Sequence, residues 1–167
     1  MTDARELIAL LTARALTVAV AESLTGGLLV AELIAPAGAS LVVNGGVVAY
    51  NTGLKHTLLG VDAELLAATG PVDPDVAIQM ARNVRERLGV AGRPADIGLS
   101  TTGVAGPDAQ GTDPPGTVYL GLSMGDMTRA KRLDLNGSRD DIRSETVSQS
   151  LAWLSKALER GLVDERE

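Results

Sequence analysis

Ser23 lies in "AESLTGG" (residues 21–27), where a run of apolar residues gives way to helix-forming composition, in company with Thr25, Gly26 and Gly27. A serine in such a turn can serve as a nucleophile, but its hydroxyl is un-ionised at neutral pH and needs a base. His56 is the only histidine, and it stands beside Lys55, one of three lysines. Lys55 follows closely on the valine-rich "VVAYNTGLK" instead of sitting on a charged helical face. If that segment is a strand beside the one that ends at Ser23, Tyr50 and Lys55 reach the same sheet edge. Desolvation there would lower the lysine pKa, so that its amine can take the serine proton. Two plainer roles stay open: Ser23 or Thr25 as an ordinary helix cap, and Lys55 lying along the apolar surface of its helix.

A second group of residues forms the stretch "TTGVAGPDAQGTDPPGTV", with glycines at 103, 106, 111 and 116. A long loop after a strand, punctuated this way, suits wrapping a ligand with backbone groups. It carries neither the lysine of a phosphate-binding P-loop nor the glycine spacing of a dinucleotide fingerprint. Arg139 and Arg143 are spaced by one helical turn and can either fork a phosphate or carboxylate or bridge to acids such as Asp140. Cysteine is absent, which removes thiolate chemistry and cysteine-ligated metals, and Asp140 and Asp141 would diverge on a helix. No metal site and no cofactor are expected.

The elements that must position these residues follow from periodicity. Leu7, Ile8, Leu11 and Ala15 recur at helical spacing behind a capping Asp3, predicting a first helix of about three turns. "LTVAVAES" and "LVVNGGVVAYN" read as buried strands, with Gly45 and Gly46 marking a bulge or a close backbone approach in the second. From Thr52 to Gly89 the pattern is helical in three pieces, the last opened by Asp73 and Pro74. "ADIGLSTTG", "TVYLGLSM" and "TRAKRLDL" are three further strands, and a final helix from "GSRDDIR" buries Ile142, Val147, Leu151, Leu154 and Leu158. About five strands interleaved with helices predict an α/β fold: a three-layer α/β/α sandwich with a mixed sheet, one domain over residues 1–167.

A formal net charge of −6 argues against general nucleic-acid binding, which rests on many Lys and Arg contacts to phosphates. "MTDARELIALLTAR" reads as an amphipathic helix and not a signal peptide, and no apolar run is as long as a membrane span. A cytoplasmic protein with no membrane association is the expectation. With no phenylalanine, two tyrosines and one tryptophan, the core must be aliphatic.

Taken together and in this order, "AESLTGG", "GGVVAYNTGLKHTLLGV", "TTGVAGPD", "PPGTVYLGL" and "GSRDDIR" resemble the C-terminal domain of the competence/damage-inducible CinA family. The resemblance runs over nearly the whole chain. It implies an amidohydrolase that converts nicotinamide mononucleotide (NMN) to nicotinic acid mononucleotide and ammonia in pyridine nucleotide salvage, working as a homo-oligomer, a dimer or larger. Carried over by motif, Ser23 matches the nucleophile, Lys55 the general base and Tyr50 an assisting hydroxyl. Amides near Gly45 and Gly46, or those of Thr25, Gly26 and Gly27, are the expected oxyanion donors. Thr102, Gly103, Ala105, Gly106 and Arg139 are the expected holders of the ribose phosphate. Leu24 departs from the cysteine many members carry, and Ser138 from the acid that often precedes the arginine. Two other readings stay open: a noncatalytic module acting with competence or recombination proteins, and an amidase for another small amide.

Overall fold

The computed structural model describes residues 3–164, so the ends of the expected 1–167 domain lie outside the described residues. Helix α1 (Ala4–Ala13) starts where the Asp3 side chain accepts a hydrogen bond from Arg5 N. Strand β1 (Val18–Glu22), α2 (Leu28–Ile34), a 3-10 turn (Ala39–Leu41) and β2 (Val43–Val48) follow. Three helices come next, α3 (Thr52–Thr57), α4 (Ala63–Thr69) and α5 (Pro74–Arg87), of which α5 begins under the cap of Asp73. Strands β3 (Ile97–Gly103), β4 (Thr117–Met124) and β5 (Met127–Asp134) then precede the long α6 (Arg139–Asp164).

The strands form one sheet in the order β2-β1-β3-β4-β5, with β1 parallel to both β2 and β3 and the remaining pairs antiparallel. The expected three-layer α/β/α sandwich is thus the observed fold. Alternation along β1 builds both halves of the core. Val18 and Val20 pack with Ile97, Leu99 and Leu122 beneath α1, α2 and α6, while Ala19 and Ala21 meet Val76, Met80 and Val84 of α5. Trp153 of α6 is partly buried against the first of these clusters and also against a third, which contains Val118, Leu120 and Ile142.

Small residues under α5 let it approach the sheet closely. The Ser100 hydroxyl donates to Ala77 O at 2.7 Å, and a Cβ at Gly98 or Gly121 would collide with the carbonyl of Ala81 or Ala77. Backbone cannot retreat as a flexible side chain can, so Gly121→Ala is expected to cost about 2 kcal/mol or more of stability. A urea midpoint equal to wild type would contradict this. The glycines of β2 behave differently from one another. Register slips between the pairs Val18–Val43 and Ala19–Gly45, the expected bulge, and a Cβ at Gly46 would press into the Val30 side chain of α2.

Candidate active site

The site sits where β1 and β3 end side by side. Helix α2 carries the chain from β1 to β2 and packs on the face that α1 and α6 share, while the route from β2 back to β3 runs through α5 on the opposite face. Such a reversal opens a crevice beyond the carboxyl ends of the strands. A cavity of about 350 Å³ occupies that place, and its lining includes Ser23, Tyr50, Lys55, Thr102, Val104 and Arg139.

Ser23 is the first residue after β1, its N–H bound to Thr101 O of β3 at 3.0 Å. Lys55 comes from the last turn of α3, which Asn51 caps through Gly53 N. The lysine is 1% exposed. Its Nζ lies 2.9 Å from Ser23 Oγ and donates to Ala49 O at 2.9 Å. Among the described residues no carboxylate forms an ion pair with it. Burial without a counter-ion penalises the ammonium form, and the Lys55 pKa falls from 10.5 to about 8. An amine that is partly free base near neutrality, in contact with a serine hydroxyl, has the arrangement that base–nucleophile chemistry requires.

The rim is built from longer side chains. Arg139, the first residue of α6, donates from Nη1 to Gly106 O at 2.7 Å and from Nη2 to the Tyr50 hydroxyl at 3.1 Å. Tyr50 is 61% exposed and stands at the cavity mouth, its hydroxyl bound to Arg139 and to neither Ser23 nor Lys55. Thr102 lines the cavity while its own hydroxyl donates to Pro71 O at 2.6 Å. Gly103, Ala105 and Gly106 line it too, along with Asp108 and Gln110. His56 is exposed and its Nδ1 is 2.8 Å from Val61 O, away from the dyad.

Several expected contacts fall elsewhere. Thr25 is fully buried with its Oγ1 2.8 Å from Thr101 Oγ1, and neither it nor Gly26, Gly27, Gly45 or Gly46 lines the cavity. Gly45 and Gly46 pair with Ala19 and Val20, three and two positions short of the strand end that carries the site. The start of α2 does not face a ligand either, because the side chain of Glu22 accepts from Gly27 N, Leu29 N and Val30 N. Nor do Arg139 and Arg143 make a fork. Arg143 turns to the other side of the turn, donating from Nε to Leu24 O at 3.0 Å and from Nη2 to Thr25 O at 3.3 Å. Glu22 was visible in the motif as an acid ending an apolar strand, a costly place for a charge without partners. Its partners are set by the turn and not by spacing.

Among the described residues no group of three His, Asp or Glu side chains could hold a metal ion, and no helix is long and apolar enough to cross a membrane.

Comparison with known proteins agrees with this architecture. The profile of the CinA C-terminal domain matches residues 2–158. A CinA-like protein of Frankia casuarinae is 45% identical over 152 residues, covering 91% of this chain and 34% of that protein. The chain spans about a third of the length of the curated relatives it matches. The crystal structure of competence/damage inducible protein CihA from Agrobacterium tumefaciens is similar with a TM-score of 0.85 at 34% identity, over 93% of each chain. Competence damage-inducible protein A from Klebsiella pneumoniae gives 0.86 at 32% identity, over 95% of this chain and 98% of that one.

Proposed function

Because the chain belongs to the CinA C-terminal domain family, we propose that it is an amidohydrolase converting NMN to nicotinic acid mononucleotide and ammonia through Ser23 and Lys55. The observation that carries this reading is the buried, unpaired amine of Lys55 at 2.9 Å from Ser23 Oγ, beside a cavity of about 350 Å³. In the free-base form Lys55 takes the Ser23 proton as Oγ attacks the carboxamide carbon. The same proton then passes from Nζ to the departing nitrogen, the carbon–nitrogen bond breaks, and ammonia leaves an ester on Ser23. Water, deprotonated by Lys55, opens that ester and restores the serine.

The developing oxyanion needs donors that are not already in use. The amide of Leu24, which follows Ser23 directly and belongs to a residue of the cavity lining, makes no hydrogen bond among the described residues, whereas Gly27 N is taken by Glu22. It takes the oxyanion role in this reading, in place of Gly45 and Gly46. Tyr50 holds Arg139 at the mouth, and Arg139 is the cation for the phosphate.

Ammonia release by the purified protein, with NMN, nicotinamide riboside and free nicotinamide in parallel, tests the reading. Release from NMN supports it; release from none of the three overturns it. Arg139→Gln is expected to raise the KM for NMN by about 10- to 100-fold, the worth of one charged hydrogen-bonding contact to a phosphate. An unchanged KM would remove Arg139 from the phosphate site.

A further inference from the structure

The five helices with a described cap divide into two kinds. In α1, α3, α4 and α5 an Asp or Asn at the cap position bonds an amide two residues ahead, the ordinary local solution. At α2 the cap position is Gly27, with φ 100° and no side chain to offer. Its amides are instead met by Glu22, five residues earlier, fully buried at the end of the central strand. The carboxylate takes Gly27 N at 3.0 Å and Leu29 N at 3.1 Å on Oε2, and Val30 N at 2.8 Å on Oε1. That closes a ring of backbone and side chain around residues 22–27, with Ser23 inside it. From the opposite side, Arg143 binds the carbonyls of Leu24 and Thr25 in the same turn.

Resting on the reading of Ser23 as nucleophile, we propose that Glu22 is a positioning residue for it, gripping with Arg143 the turn that aims Oγ at Lys55 Nζ. One charge holds the amides of the turn and the opposite charge holds its carbonyls. The two donors left over are Leu24 N and Thr25 N. Burying a carboxylate here, where a serine or aspartate at position 27 would cap the helix at the surface, makes sense for a turn whose geometry must not drift.

The test is the rate at which a fluorophosphonate labels Ser23 in the full-length protein, its Oγ displacing fluoride from phosphorus, alongside steady-state NMN hydrolysis. Glu22→Gln keeps the shape but turns an N–H2 against one of the three amides. Labelling and kcat are both expected to fall about 10- to 100-fold at a KM within about twofold of wild type, the effect of a small misplacement of a reacting group. Arg143→Gln, at a more exposed position, should give the same pattern, and it decides the matter if Glu22→Gln does not fold. Folded variants that melt lower yet label at the wild-type rate would show a structural clamp only and overturn the proposal. If wild type is labelled but releases no ammonia from NMN, the substrate reading fails while this one is still measured. A wild-type protein never labelled at Ser23 overturns both.

Discussion

Ser23→Ala is expected to abolish ammonia release, by at least about 10⁴-fold in kcat, because no other hydroxyl can replace a nucleophile that acts as a unit with its base. The fold should survive. Ser23 Oγ has Lys55 as its hydrogen-bond partner, and the turn around it is held through backbone groups by Glu22, Thr101 and Arg143. Circular dichroism and a melting curve matching wild type, with a lost rate, make the result interpretable. A variant that retains wild-type turnover would rule out an acyl-enzyme on this serine.

Lys55→Met is the second large effect, and it separates activity from stability. Methionine fills a similar volume without the amine, so kcat is expected to fall by about 10³- to 10⁴-fold with loss of the base. Stability should move the other way. In wild type, burial lowers the Lys55 pKa from 10.5 to about 8, so below pH 8 the folded chain carries a buried ammonium that the unfolded chain keeps in water. The penalty is about 3 kcal/mol. Between about pH 8 and 10.5 the folded state has released this proton and the unfolded state has not, so wild-type stability rises with pH across that window relative to Lys55→Met. Denaturant midpoints of the two proteins at pH 7 and 10 read this directly. A wild type more stable than Lys55→Met at pH 7 would contradict the desolvated amine. With Lys55 as the proposed base, kcat/KM is expected to climb with pH and level off above about 8, as the amine becomes free base.

The strands and helices were legible because their signals are local. Alternation in "VAVAE", the cap and proline at Asp73 and Pro74, and the aliphatic stripe from Ile142 to Leu158 each lie within a few residues of what they specify. The nearness of Ser23 to Lys55 was only half legible: the residues left it open beside a lysine lying along its own helix, and the family resemblance favoured it. Neighbouring parallel strands bring their ends to one edge, and few basic side chains stood at that edge. What spacing could not reveal is which backbone groups each charged side chain meets. Arg139 and Arg143 share a helix face by sequence, yet one is taken by Gly106 O and Tyr50 and the other by the carbonyls behind Ser23. Glu22 is similar. Its three amides lie five to eight residues ahead in a turn that only glycines at 26 and 27, both at positive φ, allow. Gly45 and Gly46 read as a bulge or a close backbone approach and also as oxyanion donors; the bulge is what forms, and α2 packs on Gly46.

Trp153 is the only indole in the chain, and it is lodged where two apolar clusters meet beneath α6. Its emission therefore watches the seating of that helix on the sheet, from beside a cluster that includes Leu24 and Ala105 of the cavity lining. Fluorescence and catalytic rate become two clocks on the same molecule: when activity fades while the indole spectrum stays still, the loss is confined to Ser23 and Lys55, and when both shift together, the change has reached the packing of α6.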